Sequence, residues 1–99
     1  MIVHITDEAE ADLEHVGDVI AADNPGRSVT FVRELVMRCE RLADMPRRFG
    51  LVAGHEDSGI RKLVHSGYLV FYRIDEAQIT VVRILNGAMD YEKILFPEE

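Results

Sequence analysis

Ala9, Leu13, Val16 and Ile20 recur at helical spacing, with Glu10, Glu14 and Asp18 along another face. That period predicts an amphipathic helix of about four or five turns. Thr6 offers a side-chain oxygen at the N-cap. Asp7, Glu8 and Glu10 fall in the first turn, where the helix dipole favours negative charge. Gly17 costs roughly 1 kcal/mol relative to alanine in a helix interior, a cost that close packing against a neighbour would explain. Ahead of this helix, residues 2–5, "IVHI", read as a short strand.

The stretch "ADNPG" at 22–26 stops one helix and starts another. Asn24 can cap, and Pro25 suits the first helical position, where a missing N–H has no partner to lose. The second helix is expected to run to Asp44, with Phe31, Val32, Leu35, Cys39 and Leu42 as its apolar stripe. The short connection makes the two helices antiparallel neighbours. Pro46 ends helix two. Residues 45–59 have no clear period and contain three glycines, as functional loops in compact domains often do.

Three runs rich in β-branched and aromatic residues follow, at 60–64, 68–74 and 78–85. Their short turns, His65-Ser66-Gly67 and Asp75-Glu76-Ala77, imply antiparallel neighbours. The run "YLVFYRI" is apolar on both faces and reads as a central strand. Residues 90–96, "DYEKILF", fit either a last helical turn or a last strand. The order is β-α-α-β-β-β, an α+β fold in which a helical hairpin packs on a small antiparallel sheet. A length of 99 residues suits a single domain spanning 1–99. A domain of this size hides about two-thirds of its unfolded surface, so its core is adequate but thin.

Charge changes the picture in one respect. The net charge of −7 comes from residues 7–23, which hold seven acids and no Lys or Arg. The remainder has eleven acids and eleven bases. A broad phosphate-binding surface is therefore not expected. No apolar run reaches the ~18 residues needed to cross a bilayer. The start "MIVHITDEAE" has neither the basic region nor the apolar stretch of a signal peptide. The single cysteine, Cys39, cannot form an internal disulfide and fits a reducing cytoplasm.

The stretches "AEADLEHVGDVIAADNP", "LADMPRRFG", "GIRKLVHSGYLVFYRI" and "VVRILNGAMDYEKILF" cover nearly the whole chain. In this order the sequence resembles the ParE/RelE toxin superfamily, and within it the ParE branch. The resemblance implies the toxin of a type II toxin–antitoxin pair, held in a hetero-oligomer by a ParD-like antitoxin. ParE-type toxins are associated with poisoning DNA gyrase, whereas the RelE branch cuts mRNA on the ribosome. One departure stands out. ParE-like sequences often carry Arg where this chain has Met89, which opens a third reading, an antitoxin-binding remnant without toxicity.

RNA cleavage needs groups that activate the 2′-hydroxyl, stabilise phosphate charge and protonate the leaving oxygen. Arg61, Arg83 and Tyr91 are the residues such a ribonuclease would use here. An arginine in a small sheet more commonly lays its stem over apolar neighbours and sets its head on a carboxylate. Asp75, Glu76 and Asp90 are the expected partners. The acidic balance also weighs against docking on ribosomal RNA. The sequence therefore favours a binding surface, with no catalytic residues. By analogy with the family, an antitoxin segment would lay a helix in an apolar groove and add a strand to an open edge. Tyr68, Leu69, Phe71, Tyr72 and Leu85 are expected to line that contact, and Arg73 and Arg83 to anchor acidic antitoxin residues. Arg83, Asp90, Tyr91 and the residues to Phe96 are expected to touch the target. No metal or cofactor is expected. His4, His15, His55 and His65 lack close metal-ligand spacing, and Cys39 lies on an apolar stripe.

Overall fold

The computed structural model describes residues 1–98. Strand β1 (Ile2–Ile5) leads into α1 (Asp7–Ala21) and α2 (Pro25–Arg41). A 3-10 turn (Glu56–Ser58) precedes β2 (Arg61–His65), β3 (Tyr68–Asp75), β4 (Gln78–Asn86) and the short helix α3 (Tyr91–Leu95). The caps are those the sequence announces. The Thr6 hydroxyl accepts the Ala9 N–H at 3.1 Å, and the Asn24 side-chain Oδ1 accepts the Arg27 N–H at 3.0 Å. Regular α-helix ends at Arg41, three residues before the expected Asp44. Leu42, Ala43 and Asp44 instead donate to the carbonyls three residues back, tightening the helix into its exit turn.

Sheet order is β1-β4-β3-β2. The three later strands form the antiparallel meander expected of them, but β1 pairs with β4 in parallel. The sheet is thus mixed rather than wholly antiparallel. The reason is topological. Helix α1 continues past the end of β1 alongside β4, and α2 brings the chain back, so β2 sets out in the same sense as β1. Two-residue turns at Ser66-Gly67 and Glu76-Ala77 close the hairpins, with Ser66, Gly67 and Glu76 at positive φ. Gly87 sits where two turns meet. Its N–H donates to the Gly67 carbonyl at 2.8 Å, and a Cβ there would lie 3.0 Å from that same oxygen.

One core lies between the helices and the sheet: Ala9, Leu13 and Val16 of α1, Phe31, Leu35 and Cys39 of α2, and Val70, Tyr72, Ile79, Val81 and Ile84 beneath. Gly17 carries the close approach suggested by its position. The Ser28 hydroxyl of α2 donates to the Gly17 carbonyl at 2.6 Å, where the two helices meet. Phe31 and Glu34 of α2 also reach the β2–β3 hairpin. The Phe31 ring lies 5.5 Å from that of His65, whose Nε2 is 3.2 Å from Glu34. A hydrogen bond from Arg27, opposed by desolvation and aided by His65, holds the Glu34 carboxyl below its ordinary value.

Cys39 is completely enclosed, and burial pushes its thiol pKa up to about 12. Only the thiolate reacts with alkylating reagents. Iodoacetamide labelling of the folded chain at pH 8 is therefore expected to proceed no faster than global unfolding. The check is to follow it by mass spectrometry against urea concentration. Rapid labelling in native buffer would contradict the enclosed position.

Candidate functional site

The second face of the sheet carries its own cover. Asp90 caps α3 by accepting the Lys93 N–H at 3.4 Å. From that start Tyr91, Ile94, Leu95 and Phe96 pack on Val52, Leu69, Phe71 and Leu85. The Tyr91 ring is 5.1 Å from Phe71, and the Lys62 ammonium lies 5.4 Å from the Tyr91 ring centre. Phe96 stacks on His55 with centroids 3.9 Å apart, which ties the C-terminal segment to the loop before β2.

This changes the expected antitoxin contact. Leu69, Phe71 and Leu85 are interior residues beneath α3, and Tyr72 is interior on the opposite face. Side chains alternate along a strand, so Tyr72 points at the helices while its neighbour Phe71 points at α3. Each finds an apolar layer supplied by the chain itself. The Tyr72 hydroxyl donates to the Pro46 carbonyl at 2.7 Å, and burial raises its pKa. Tyr68 is half-buried against Phe31. Arg73 is exposed and paired with Asp75, one of its expected partners, at 2.8 Å.

Arg83 is held by Asp12, 71 residues earlier in the chain. Its Nε and Nη2 donate to the two Asp12 oxygens at 2.8 and 3.0 Å, not to Asp75, Glu76 or Asp90. Asp12 also accepts the Ile84 N–H at 2.8 Å. Strand β1 ends opposite Val81, so β4 continues without a neighbour on that side. The Asp12 carboxylate takes the place of the missing strand, satisfying a backbone donor and a guanidinium together. The hydrogen bond from Arg83 to Asp12 raises the arginine's pKa further, so its charge is fixed through the whole neutral range.

Arg61 is engaged elsewhere. Its Nη1 donates to the Phe49 carbonyl at 2.6 Å and the Arg47 carbonyl at 3.4 Å. With the Tyr72 hydroxyl on Pro46, it fastens the exit of α2 to the sheet. The loop at 45–59 is therefore much more ordered than its composition suggests. Leu51 bridges to Arg61 at the edge of β2, and Val52 enters the second core. Arg61, Arg83 and Tyr91 do not converge. Arg61 serves the α2 exit, Arg83 the far side of β4, and Tyr91 covers the opposite face of the sheet. Among the described residues, no group of three or more His, Cys, Asp or Glu is placed to hold a metal ion. No helix there is long and apolar enough to cross a membrane.

A family model described as "ParE toxin of type II toxin-antitoxin system, parDE" matches residues 3–91. The chain belongs to the ParE toxin family. Solved structures that share its fold include two from toxin–antitoxin systems. A chain of the chromosomal ParDE toxin–antitoxin system from P. aeruginosa is 22% identical with a TM-score of 0.75, over 87% of this chain and 95% of that one. A chain of the RelBE2 toxin–antitoxin complex from Mycobacterium tuberculosis is 23% identical with a TM-score of 0.64, over 86% of this chain and 95% of that one. No curated protein sequence matches.

In this ParE-type toxin, Met89 is 46% exposed on the turn after β4. It stands beside Arg83, Asp12, His15 and Val19 around a small cleft of about 240 Å³ between α1 and the end of β4. The target-facing residues expected from the sequence divide here. Asp90 is exposed and caps α3, whereas Tyr91 and Phe96 have one side turned inward.

Proposed function

We propose that this toxin acts by binding. A ParD-like antitoxin neutralises it in a cytoplasmic hetero-oligomer, and DNA gyrase is its target. The surface that meets the target is the β4–α3 turn with Asp90, Met89 and the outer sides of Tyr91 and Phe96, backed by Arg83. Family membership supports the antitoxin and the gyrase target. The observation that carries the mechanism is the dispersal of Arg61, Arg83 and Tyr91. A ribonuclease needs an acid, a base and a charge stabiliser around one phosphate, and these three are each engaged in holding a different part of the fold.

Purified chain is expected to inhibit gyrase-catalysed supercoiling of a relaxed plasmid, and to leave mRNA on translating ribosomes intact. Cut transcripts with unimpaired supercoiling would overturn the proposal. The exposed Met89 favours a second reading, a chain that still binds an antitoxin but has lost toxicity. On that reading expression of the chain alone leaves growth normal, and Met89→Arg restores growth arrest with early loss of DNA synthesis.

A further inference from the structure

The end of α2 and its exit carry Arg38, Arg41, Arg47 and Arg48. None of the four pairs with a carboxylate among the described residues. Arg38 Nη1 is 3.2 Å from His65 Nδ1, and the Arg48 guanidinium lies 5.5 Å from the centre of the Phe49 ring. Both contacts place a guanidinium group and leave its charge unneutralised. Glu40 and Asp44 are the acids between Arg38 and Phe49. They and the roughly half negative charge of a helix C-terminus fall short of four arginines. The surplus here is positive, in a chain of net charge −7.

A helix end ordinarily repels anions, because its last carbonyls lack partners inside the helix. At this end the carbonyls are occupied. Those of Cys39, Glu40 and Arg41 accept the N–H groups of Leu42, Ala43 and Asp44 at 3.1, 3.3 and 3.1 Å. The Met45 carbonyl accepts the Arg48 N–H at 3.1 Å, and the Pro46 carbonyl accepts the Tyr72 hydroxyl. Arg61 donates to the carbonyls of Arg47 and Phe49, which adds a fifth fixed cation. The acceptors of the α2 exit are thus used within the chain, while Arg41, Arg47 and Arg48 are exposed. Arg38, Arg41 and Arg48 line one cleft of about 460 Å³, with Asp44 as its one carboxylate and Leu63 of β2 among its apolar residues. That volume is in the range of small-molecule sites.

The geometry points to a binding site for a compact polyphosphate anion, the di- or triphosphate group of a small molecule, held by Arg38, Arg41 and Arg48 in this cleft. Each guanidinium carries five N–H donors and no acceptor, so the ligand supplies acceptors and negative charge. Phosphate oxygens take paired N–H groups from arginine forks. A carboxylate has two oxygens to share among three such forks, and a chain of phosphates has several on each unit. A long nucleic-acid strand fits less well. Helix α1 packs beside α2, and residues 7–23 hold seven acids that repel a polyanion leaving the cleft. The site uses neither the β4–α3 turn nor α3, so it is independent of the target reading above.

The test titrates the full chain, labelled with nitrogen-15, with sodium tripolyphosphate in low-salt, magnesium-free buffer, with ATP and a dodecathymidylate strand as further ligands. Saturable binding is expected, with shifts at the arginine side-chain N–H groups of Arg38, Arg41 and Arg48 and at amides 38–49. Added salt is expected to weaken it. Arg41→Gln with Arg48→Gln is expected to cost at least about tenfold in affinity, since each removes hydrogen bonds to a charged group. Arg33→Gln with Lys93→Gln removes the same charge from exposed positions outside the cleft, and should stay within about twofold. Equal affinities for ATP and tripolyphosphate identify the phosphate chain as the recognised group. Tighter ATP identifies a nucleotide as its carrier, and the site stands in both cases. The inference is overturned by no saturable binding at millimolar tripolyphosphate or by shifts confined elsewhere. It is overturned as well if the cleft variant binds like wild type, if the control variant loses as much as the cleft variant, or if the dodecathymidylate strand binds tighter than tripolyphosphate.

Discussion

Phe71→Ala is expected to lower the stability of the isolated chain by about 3–5 kcal/mol, the usual cost of removing a core phenylalanine. Phe71 is 0% exposed, on the central strand, between the sheet backbone and the Tyr91 ring of α3. Truncation loses both the apolar transfer and the contacts with Leu69, Leu85 and Tyr91, and it leaves a void that a five-residue helix can fill only by shifting. Domains of this kind have about 5–15 kcal/mol in total, so the variant should unfold at a much lower urea concentration. The measurement also separates two roles for the residue. On a partner surface, Phe71→Ala would leave the free chain within about 0.5 kcal/mol of wild type and weaken only the complex. A near-neutral urea midpoint would mean that α3 does not cover this face in solution.

Asp12→Ala is the second large effect, expected at about 3 kcal/mol. It strands two groups at once, the Ile84 N–H and the Arg83 guanidinium. An orphaned buried donor costs about 1–3 kcal/mol, and breaking one side of a partly buried ion pair adds to it. Asp12 is only 13% exposed, so water does not replace it freely. Asp12→Asn keeps an oxygen for Ile84 and should cost clearly less than Asp12→Ala. A cycle with Arg83→Met isolates the pair. Once Arg83 is gone, removing Asp12 should cost little more than the lost Ile84 hydrogen bond. Additive effects of the two substitutions would show that the pair is not coupled, and Arg83 would then be available to a target after all.

Local patterns carried much of this fold. Thr6 and Asn24 cap because their side chains reach N–H groups that any helix leaves unpaired. The turns at Ser66-Gly67 and Glu76-Ala77 are as tight as their lengths demand. "YLVFYRI" is central because a strand apolar on both faces needs cover on both. Asp12 carries a signal of its own in the sequence. It lies three residues after Ala9 and four before Val16, so it sits on the apolar stripe instead of the Glu10 and Glu14 face. An acid in such a position asks for a buried partner, and Arg83, alone in an apolar strand, asks for one too. What no local pattern contains is their distance, because 71 residues separate them.

The sequence by itself determined the order of elements, the helix caps, the hairpins and the membership of the apolar stripes, all of which depend on neighbours a few residues apart. It also pointed to a ParE-type toxin, since that likeness is carried by residue order. Tertiary structure alone decided which apolar residues are interior and which remain for a partner. Leu69, Phe71 and Leu85 look identical to a docking surface until α3 and Val52 are seen lying across one face of the sheet, and Tyr72 does until the helices are seen covering the other. It also decided the separation of Arg61, Arg83 and Tyr91. The physical reason is the same throughout. Burial and charge pairing are properties of surfaces brought together by the whole chain, and a strand's period says which face a residue is on without saying what covers it.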